Sequence, residues 1–223
     1  MRFGYPKVCF YSEDSVLIRF SEKMDPQINR WVHRLSWMIE KRGIHGYREC
    51  VPGYASLLVF FEPSDIDHQS FKQQISDLLG NDHFIDPVEL DEALADPISI
   101  PVMYGGMEGP DLEAVAKFHH LRPEEVVRIH TQTLYTVYMI GFSPGFAYMG
   151  PLPRSIATPR LTHPRKAVQP GSVGIADRQT GIYPVKSPGG WQILGRTQWV
   201  LFDPDRSPPS LLQPGQKVRF YAV

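Results

Sequence analysis

The sequence predicts an α+β protein in two parts: an N-terminal α/β plait over residues 1–90, and a barrel or sandwich of short strands over residues 97–223. Three observations lead there. Segments with the 3.6-residue period of amphipathic helices alternate with strand-like runs through the first ninety residues. From Leu134 onward, short β-like runs are separated by Gly and Pro at close spacing, as in all-β barrels and sandwiches. Between the two, Asp82 to Asp96 is acidic and loop-like and reads as a junction.

In chain order, VCFY and SVLIRF are strand-like. Pro26 to Lys41 places Ile28, Trp31, Val32, Leu35 and Ile39 on one face of a helix, with Asp25 as its cap and Pro26 in its first turn. SLLVFFE reads as a buried strand, and Ser64 to Leu79 as a second helix that Ser64 caps and that carries Ile66, Phe71, Ile75 and Leu78. A β-β-α-β-α order with short connections suggests two helices on one face of an antiparallel sheet. Past the junction, PISIPVMYGG is a strand and a turn, and Asp111 to His119 and Pro123 to Thr131 are short helices. LYTVYMIGF, VGIA, GIYPV, WQILGRT, WVLFD and KVRFYAV then supply the strands of the second part.

Composition sets bounds on function. With 223 residues and 42% hydrophobic content, the chain can bury a sizeable core as one large domain or two small ones. The N-terminus has neither an apolar signal core nor an Arg/Ser-rich presequence, and no apolar run approaches the roughly 20 residues that span a bilayer, so a cytoplasmic protein without membrane association is expected. The two cysteines, Cys9 and Cys50, lie in strand-like runs and lack the spacing of a redox or zinc motif. Core packing explains them better than catalysis.

Charge is unevenly distributed. Residues 1–125 carry 12 Lys+Arg against 21 Asp+Glu, whereas residues 126–202 carry eight cations against the single acid Asp177. Those cations are mostly Arg, and all but Arg128 sit among Gly, Pro and aromatic residues between Gly141 and Thr197. So much Gly and Pro is needed where loop backbone must be held in fixed or left-handed conformations. Guanidinium groups there suit a carboxylate or phosphate, which they bind bidentately. The alternative is that the acidic and basic segments neutralise each other across a domain interface. Nucleic acid is disfavoured, because the sequence pI is near neutral and Pro and Gly interrupt the Arg residues.

Two motif matches fail on their chemistry. Gly141-Phe142-Ser143-Pro144-Gly145 has the form G-x-S-x-G, but Pro144 has no N–H for an oxyanion hole and FAYMGPLP cannot begin a helix, so Ser143 is read as a loop residue. GWQILGRT, from Gly190, approaches a phosphate loop with Arg in place of Lys. Its interior reads as a strand rather than a phosphate-wrapping turn ahead of a helix. His130 shares a helix face with Val126 and Ile129, which favours a satisfied core histidine, although its place just before the GFSPGF segment keeps a catalytic role open. His119, His120 and His163 show no metal-ligand spacing, and no metal site is expected.

At GFSPGFAYMGPLP, PGSVGIADRQTGIYP and SPGGWQILGRT the chain closely resembles the family of the B subunit of bacterial 5-oxoprolinase. That family also includes the kinase inhibitor KipI and subunit 1 of allophanate hydrolase, and is related to half of the carboxyltransferase domain of urea carboxylase. The resemblance runs through PVMYGGMEGPDLEAVA and the helix ending at His130. It departs at VQPGSV, where VPAGSV is expected, and at Pro151, which replaces a Gly. It implies a cyclophilin-like barrel whose pocket is shared with a partner subunit of the same kind.

On this resemblance the chain is expected to be a subunit of an ATP-dependent 5-oxoprolinase, active only with subunits C and A, with ATP as cosubstrate and no tightly bound cofactor. His130, Arg165 and Tyr183 are the expected catalytic residues. Arg160, Arg165 and Arg196 would hold a carboxylate or phosphoryl group, and Gln179 and Tyr183 would donate hydrogen bonds. Phe142, Phe146, Tyr148 and Trp191 would wall the pocket, with Pro144, Gly189 and Gly190 counted among the substrate-binding residues. A KipI-like inhibitor of a sensor histidine kinase and an allophanate- or urea-type acyl-transfer subunit share these motifs and stand as alternatives.

Overall fold

The computed structural model describes residues 6–23, 25–80 and 96–223. The chain divides between residues 95 and 96 into two compact units. Of the acidic stretch from Asp82 to Asp96, expected as the junction, residues 82–95 lie outside the described residues.

The first unit contains β1 (Lys7–Ser12), β2 (Ser15–Arg19), α1 (Pro26–Arg42), β3 (Tyr47–Pro52), β4 (Ser56–Phe61) and α2 (His68–Gly80). The four strands form an antiparallel sheet in the order β1-β2-β4-β3. Alternation sends Val16 and Ile18 of β2 and Leu57, Val59 and Phe61 of β4 into one core, covered by Val32, Leu35 and Ile39 of α1 and Phe71, Ile75 and Leu78 of α2. Asp25 caps α1 as expected, accepting from the Gln27 amide at 2.7 Å, and Gly43 ends the helix in the left-handed region at φ 59°.

Two expectations need correction. The order is β-β-α-β-β-α, because YRECVP forms the edge strand β3; an edge strand covered on one side only carries no apolar run to announce it. Helix α2 begins at His68 rather than Ser64. Asp67 caps it by accepting from the Ser70 amide at 3.0 Å, while the Ser64 hydroxyl bonds the nearby acids Glu62 and Asp65.

The second unit contains β5 (Ile98–Tyr104), α3 (Leu112–Phe118), α4 (Pro123–Gln132), β6 (Tyr135–Ile140), β7 (Ala147–Gly150), a 3₁₀ turn (Arg154–Ile156), β8 (Arg165–Val168), β9 (Ser172–Ala176), β10 (Gln179–Ile182), β11 (Ser187–Gly189), β12 (Gln192–Arg196) and β13 (Lys217–Ala222). Seven strands close a barrel in the order β10-β7-β6-β13-β5-β12-β9, and β8 and β11 form a separate two-stranded ribbon. All barrel neighbours are antiparallel except β13 and β5, which run parallel. Ile100, Val102, Val137, Met149, Val173, Ile175, Leu194, Val218 and Phe220 fill the barrel, and Leu112, Val115 and Val126 of α3 and α4 join the same core. The expected strand WVLFD is not one. Only an isolated bridge from Phe202 to Ser210 forms there, and the Arg206 guanidinium bonds the carbonyls of Leu201, Pro208 and Pro209 in the surrounding Pro-rich loop.

Candidate functional site

The GFSPGF segment is a type II turn between β6 and β7. Pro144 and Gly145 are its central residues, Gly145 has φ 79°, and the Phe146 amide donates to the Ser143 carbonyl at 3.0 Å. A Cβ at Gly145 would lie 2.6 Å from the Cβ of Phe202, so both the space and the dihedral require glycine. The turn projects Phe142, which is 63% exposed and sits at φ 69°, an unusual conformation for a residue with a bulky side chain. The Ser143 hydroxyl is enclosed without a hydrogen-bond partner among the described residues, so no base activates it and the reading of Ser143 as a loop residue stands.

Behind Phe142 the aromatic residues named from sequence come together. Phe146 contacts Phe142, Tyr148, Tyr183 and Trp191 at centroid distances of 5.5, 4.7, 5.1 and 5.5 Å, and three of these four contacts are T-shaped. Phe146, Tyr183 and Trp191 are buried, forming a small core with Val168 and Ile193, whereas Tyr148 and Phe142 reach the surface. Tyr183 is held by a close backbone: a Cβ on Gly189 would lie 2.4 Å from its hydroxyl oxygen. Burial pushes the Tyr183 hydroxyl above its ordinary pKa, against the opposing pull of the Trp191 backbone and of Arg160 and Arg165, so it is a proton donor at neutral pH. Burial likewise raises Tyr148, again opposed by the Arg160 charge.

Arg160 is exposed, on a loop stitched to the β11–β12 connection by the Leu161 amide donating to the Gly190 carbonyl at 2.7 Å and by Gln192 Nε2 donating to the Pro159 carbonyl at 3.0 Å. The loop thus sets a cation at the rim of the aromatic cluster. Gln179 is buried at the start of β10, and Gly190 lies beside Pro164.

The other two cations differ from expectation. Arg165 Nη2 donates to Asp111 Oδ1 at 2.6 Å, and Nη1 to the Trp191 carbonyl at 3.4 Å, so its guanidinium is anchored to a carboxylate of its own unit rather than left for a ligand alone. Arg196 donates to Glu108 at 3.4 Å and to the Pro170 carbonyl at 2.8 Å. The acid-poor stretch is acid-poor only along the chain, because the loop after β5 supplies Glu108 and Asp111 across the fold. Neutralisation occurs, but inside the second unit.

His130 is the clearest correction. Its ring is fully buried, stacked on Phe220 at 4.7 Å. The Thr180 hydroxyl donates to the Gly174 carbonyl and therefore accepts from His130 Nε2–H at 2.9 Å, and the Tyr104 hydroxyl donates to Nδ1 at 2.7 Å. Both nitrogens are engaged, one tautomer is set, and desolvation lowers the pKa to about 3. This is a neutral structural histidine and not an acid/base at the aromatic cluster.

Sequence reasoning missed Asp111, Tyr104 and Thr180. Asp111 had a signal, since it precedes a helix, yet its side chain caps nothing: both oxygens leave the helix, Oδ2 accepting the Ile193 amide at 2.6 Å.

Residues 6–212 match the family described as carboxyltransferase domain, subdomain C and D. The chain is 40% identical over 221 residues to the 5-oxoprolinase B subunit of Bacillus subtilis, covering 95% of this chain and 90% of that one. It is 54% identical over 123 residues to the 5-oxoprolinase B subunit of Haemophilus influenzae, covering 55% of this chain and 58% of that one. Among solved structures, TTHA0988 superposes with a TM-score of 0.80 at 32% identity; the match covers 94% of this chain and only 40% of that longer one. The chain therefore belongs to the carboxyltransferase subdomain C and D family, within the group of 5-oxoprolinase B subunits.

Proposed function

We propose that this chain is one subunit of an ATP-dependent 5-oxoprolinase, which opens the lactam of 5-oxo-L-proline to L-glutamate as ATP becomes ADP and phosphate. The observation that carries the reading is 40% identity to the Bacillus subtilis B subunit across nearly the whole chain. The aromatic cluster supports it: Phe142 and Tyr148 offer flat apolar surface for a five-membered ring, backed by the buried Phe146 and Trp191, with Arg160 at the rim for its carboxylate and Tyr183 as a neutral donor.

In this reading the γ-phosphoryl group passes to the lactam oxygen and ADP departs. Water then adds to the activated carbon and the C–N bond breaks as nitrogen takes a proton, leaving the γ-carboxyl as an acyl phosphate, which a second water cleaves to L-glutamate and phosphate. Cations and hydroxyl donors near the lactam oxygen stabilise the charge that develops. With His130 engaged in the barrel, the described residues of the cluster hold no complete set of base, acid and nucleophile, which supports a site finished by subunits A and C. ATP enters as cosubstrate, and no tightly bound cofactor is assigned to this chain. The barrel is taken as cyclophilin-like and the complex as cytoplasmic. No helix among the described residues is long and apolar enough to cross a membrane.

The test is turnover of 5-oxoproline with ATP by the purified chain, alone and with its partner subunits. Activity only in the assembled mixture is expected. Full activity alone would refute the divided site, and no activity with all partners would favour the kinase-inhibitor or acyl-transfer alternatives.

A further inference from the structure

We propose that Asp111 is a positioning residue of the candidate site, acting through Arg165 to present a guanidinium edge to an oxyanion, a carboxylate or phosphoryl group, bound against the aromatic cluster. This rests on the functional reading above. Asp111 is buried at the start of α3, where a side chain ordinarily caps its own helix, yet it makes no such bond. Its carboxylate bridges two other segments instead. Oδ1 accepts from Arg165 Nη2 at the start of β8, and Oδ2 accepts from the Ile193 amide on β12, each at 2.6 Å. Its own amide returns a bond to the Ile193 carbonyl at 3.0 Å, so residues 111 and 193 are locked reciprocally.

Ile193 lies two residues past Trp191, whose carbonyl also receives Arg165 Nη1. One carboxylate thereby ties a cation, a wall of the cluster and the loop after β5 into one rigid unit. Arg165 keeps 30% of its side chain exposed, and its charge reaches Tyr183, so the anchored group still faces the site. Anchoring one edge of a planar guanidinium orients the other, and an orientation set before binding spares a ligand the entropy of ordering it.

The test compares Asp111→Asn, Arg165→Ala and the double variant in the assembled enzyme. It is paired with phenylglyoxal modification of the full chain, read at Arg165 by peptide mass spectrometry. Asparagine keeps an oxygen for the Ile193 amide but loses the charge. Asp111→Asn is expected to lower kcat/KM by about tenfold to a hundredfold, the worth of one charge-assisted hydrogen bond. The double variant should be no worse than Arg165→Ala, because Asp111 acts through that residue. Arg165 should react several-fold faster in Asp111→Asn than in the wild type.

Multiplying losses in the double variant, or unchanged Arg165 reactivity, would overturn the proposal. Should Asp111→Asn fail to fold, Asp111→Glu keeps charge and acceptors at a changed reach. Wild-type kcat/KM in that variant would equally overturn it. If the wild-type complex does not turn over 5-oxoproline, the functional reading falls, and Arg165 reactivity alone decides whether Asp111 sets the guanidinium.

Discussion

His130 and Thr180, fifty positions apart, meet inside the barrel at 2.9 Å, and the bond decides what the histidine can do. With Nε2–H given to Thr180 and Nδ1 taken by Tyr104, a second proton has no site, and burial depresses the pKa to about 3. In the unfolded chain the imidazole titrates near its ordinary 6.5. The folded state therefore holds its full stability above about pH 6.5 and loses it as pH falls toward 3, because only the unfolded state takes up the proton. By pH 5 this one group should cost about 2 kcal/mol, following a slope of about 1.4 kcal/mol per pH unit. Urea unfolding of wild type and His130→Gln at pH 7.5 and 5 should show the variant less stable at pH 7.5 but flatter with pH. Parallel curves would mean that His130 does not titrate on unfolding.

The turn that carries Phe142 depends on Gly145. Gly145→Ala combines a left-handed residue with a Cβ 2.6 Å from that of Phe202, so a loss of about 2–4 kcal/mol is expected. Gly43→Ala shares the left-handed dihedral at φ 59° but meets nothing within 4 Å, and should cost only about 1 kcal/mol. Chemical denaturation of the two variants separates the steric part from the dihedral part.

The Arg165–Asp111 pair gives the Arg165 side chain a structural role. Arg165→Ala leaves the buried Asp111 carboxylate with only the Ile193 amide, and about 1–3 kcal/mol of stability should go with it, less than for a fully enclosed pair because the guanidinium is 30% exposed. Arg165→Lys should recover part of this, since an ammonium keeps the charge but not the fork. An Arg165→Ala midpoint equal to wild type would show that the pair contributes nothing.

Tyr183 offers a test free of charge effects. Its hydroxyl is pushed above the ordinary tyrosine range by burial, so it stays protonated throughout neutral pH. Tyr183→Phe should lower kcat of the assembled enzyme by about a hundredfold to a thousandfold, as for loss of one transition-state donor. The shape of the pH–rate profile between pH 6 and 9 should not change. A lost basic limb in the variant would instead make Tyr183 a titrating base.

Sequence alone determined what is local. The Asp25 cap and the periodic apolar face of α1, the strand alternation of β2 and β4, and the Pro144–Gly145 turn each depend on residues within a few positions, so period and turn chemistry reveal them. The aromatic residues that gather around Phe146 were named by the family resemblance, not by their spacing, because barrel closure brings them together from segments about 40 positions apart. Only the tertiary structure decided which charges meet. Asp111 reaches Arg165 across 54 positions and Glu108 reaches Arg196 across 88, and a charge count along the chain assigned those acids to the wrong side of a boundary. His130 shows the same division: its helix face was readable, but the partners for both ring nitrogens come from β5 and β10, which barrel closure brings to it. Electrostatics and burial depend on distance through space. Closing a barrel in which β13 lies parallel to β5 sets those distances by pairing strands more than a hundred residues apart.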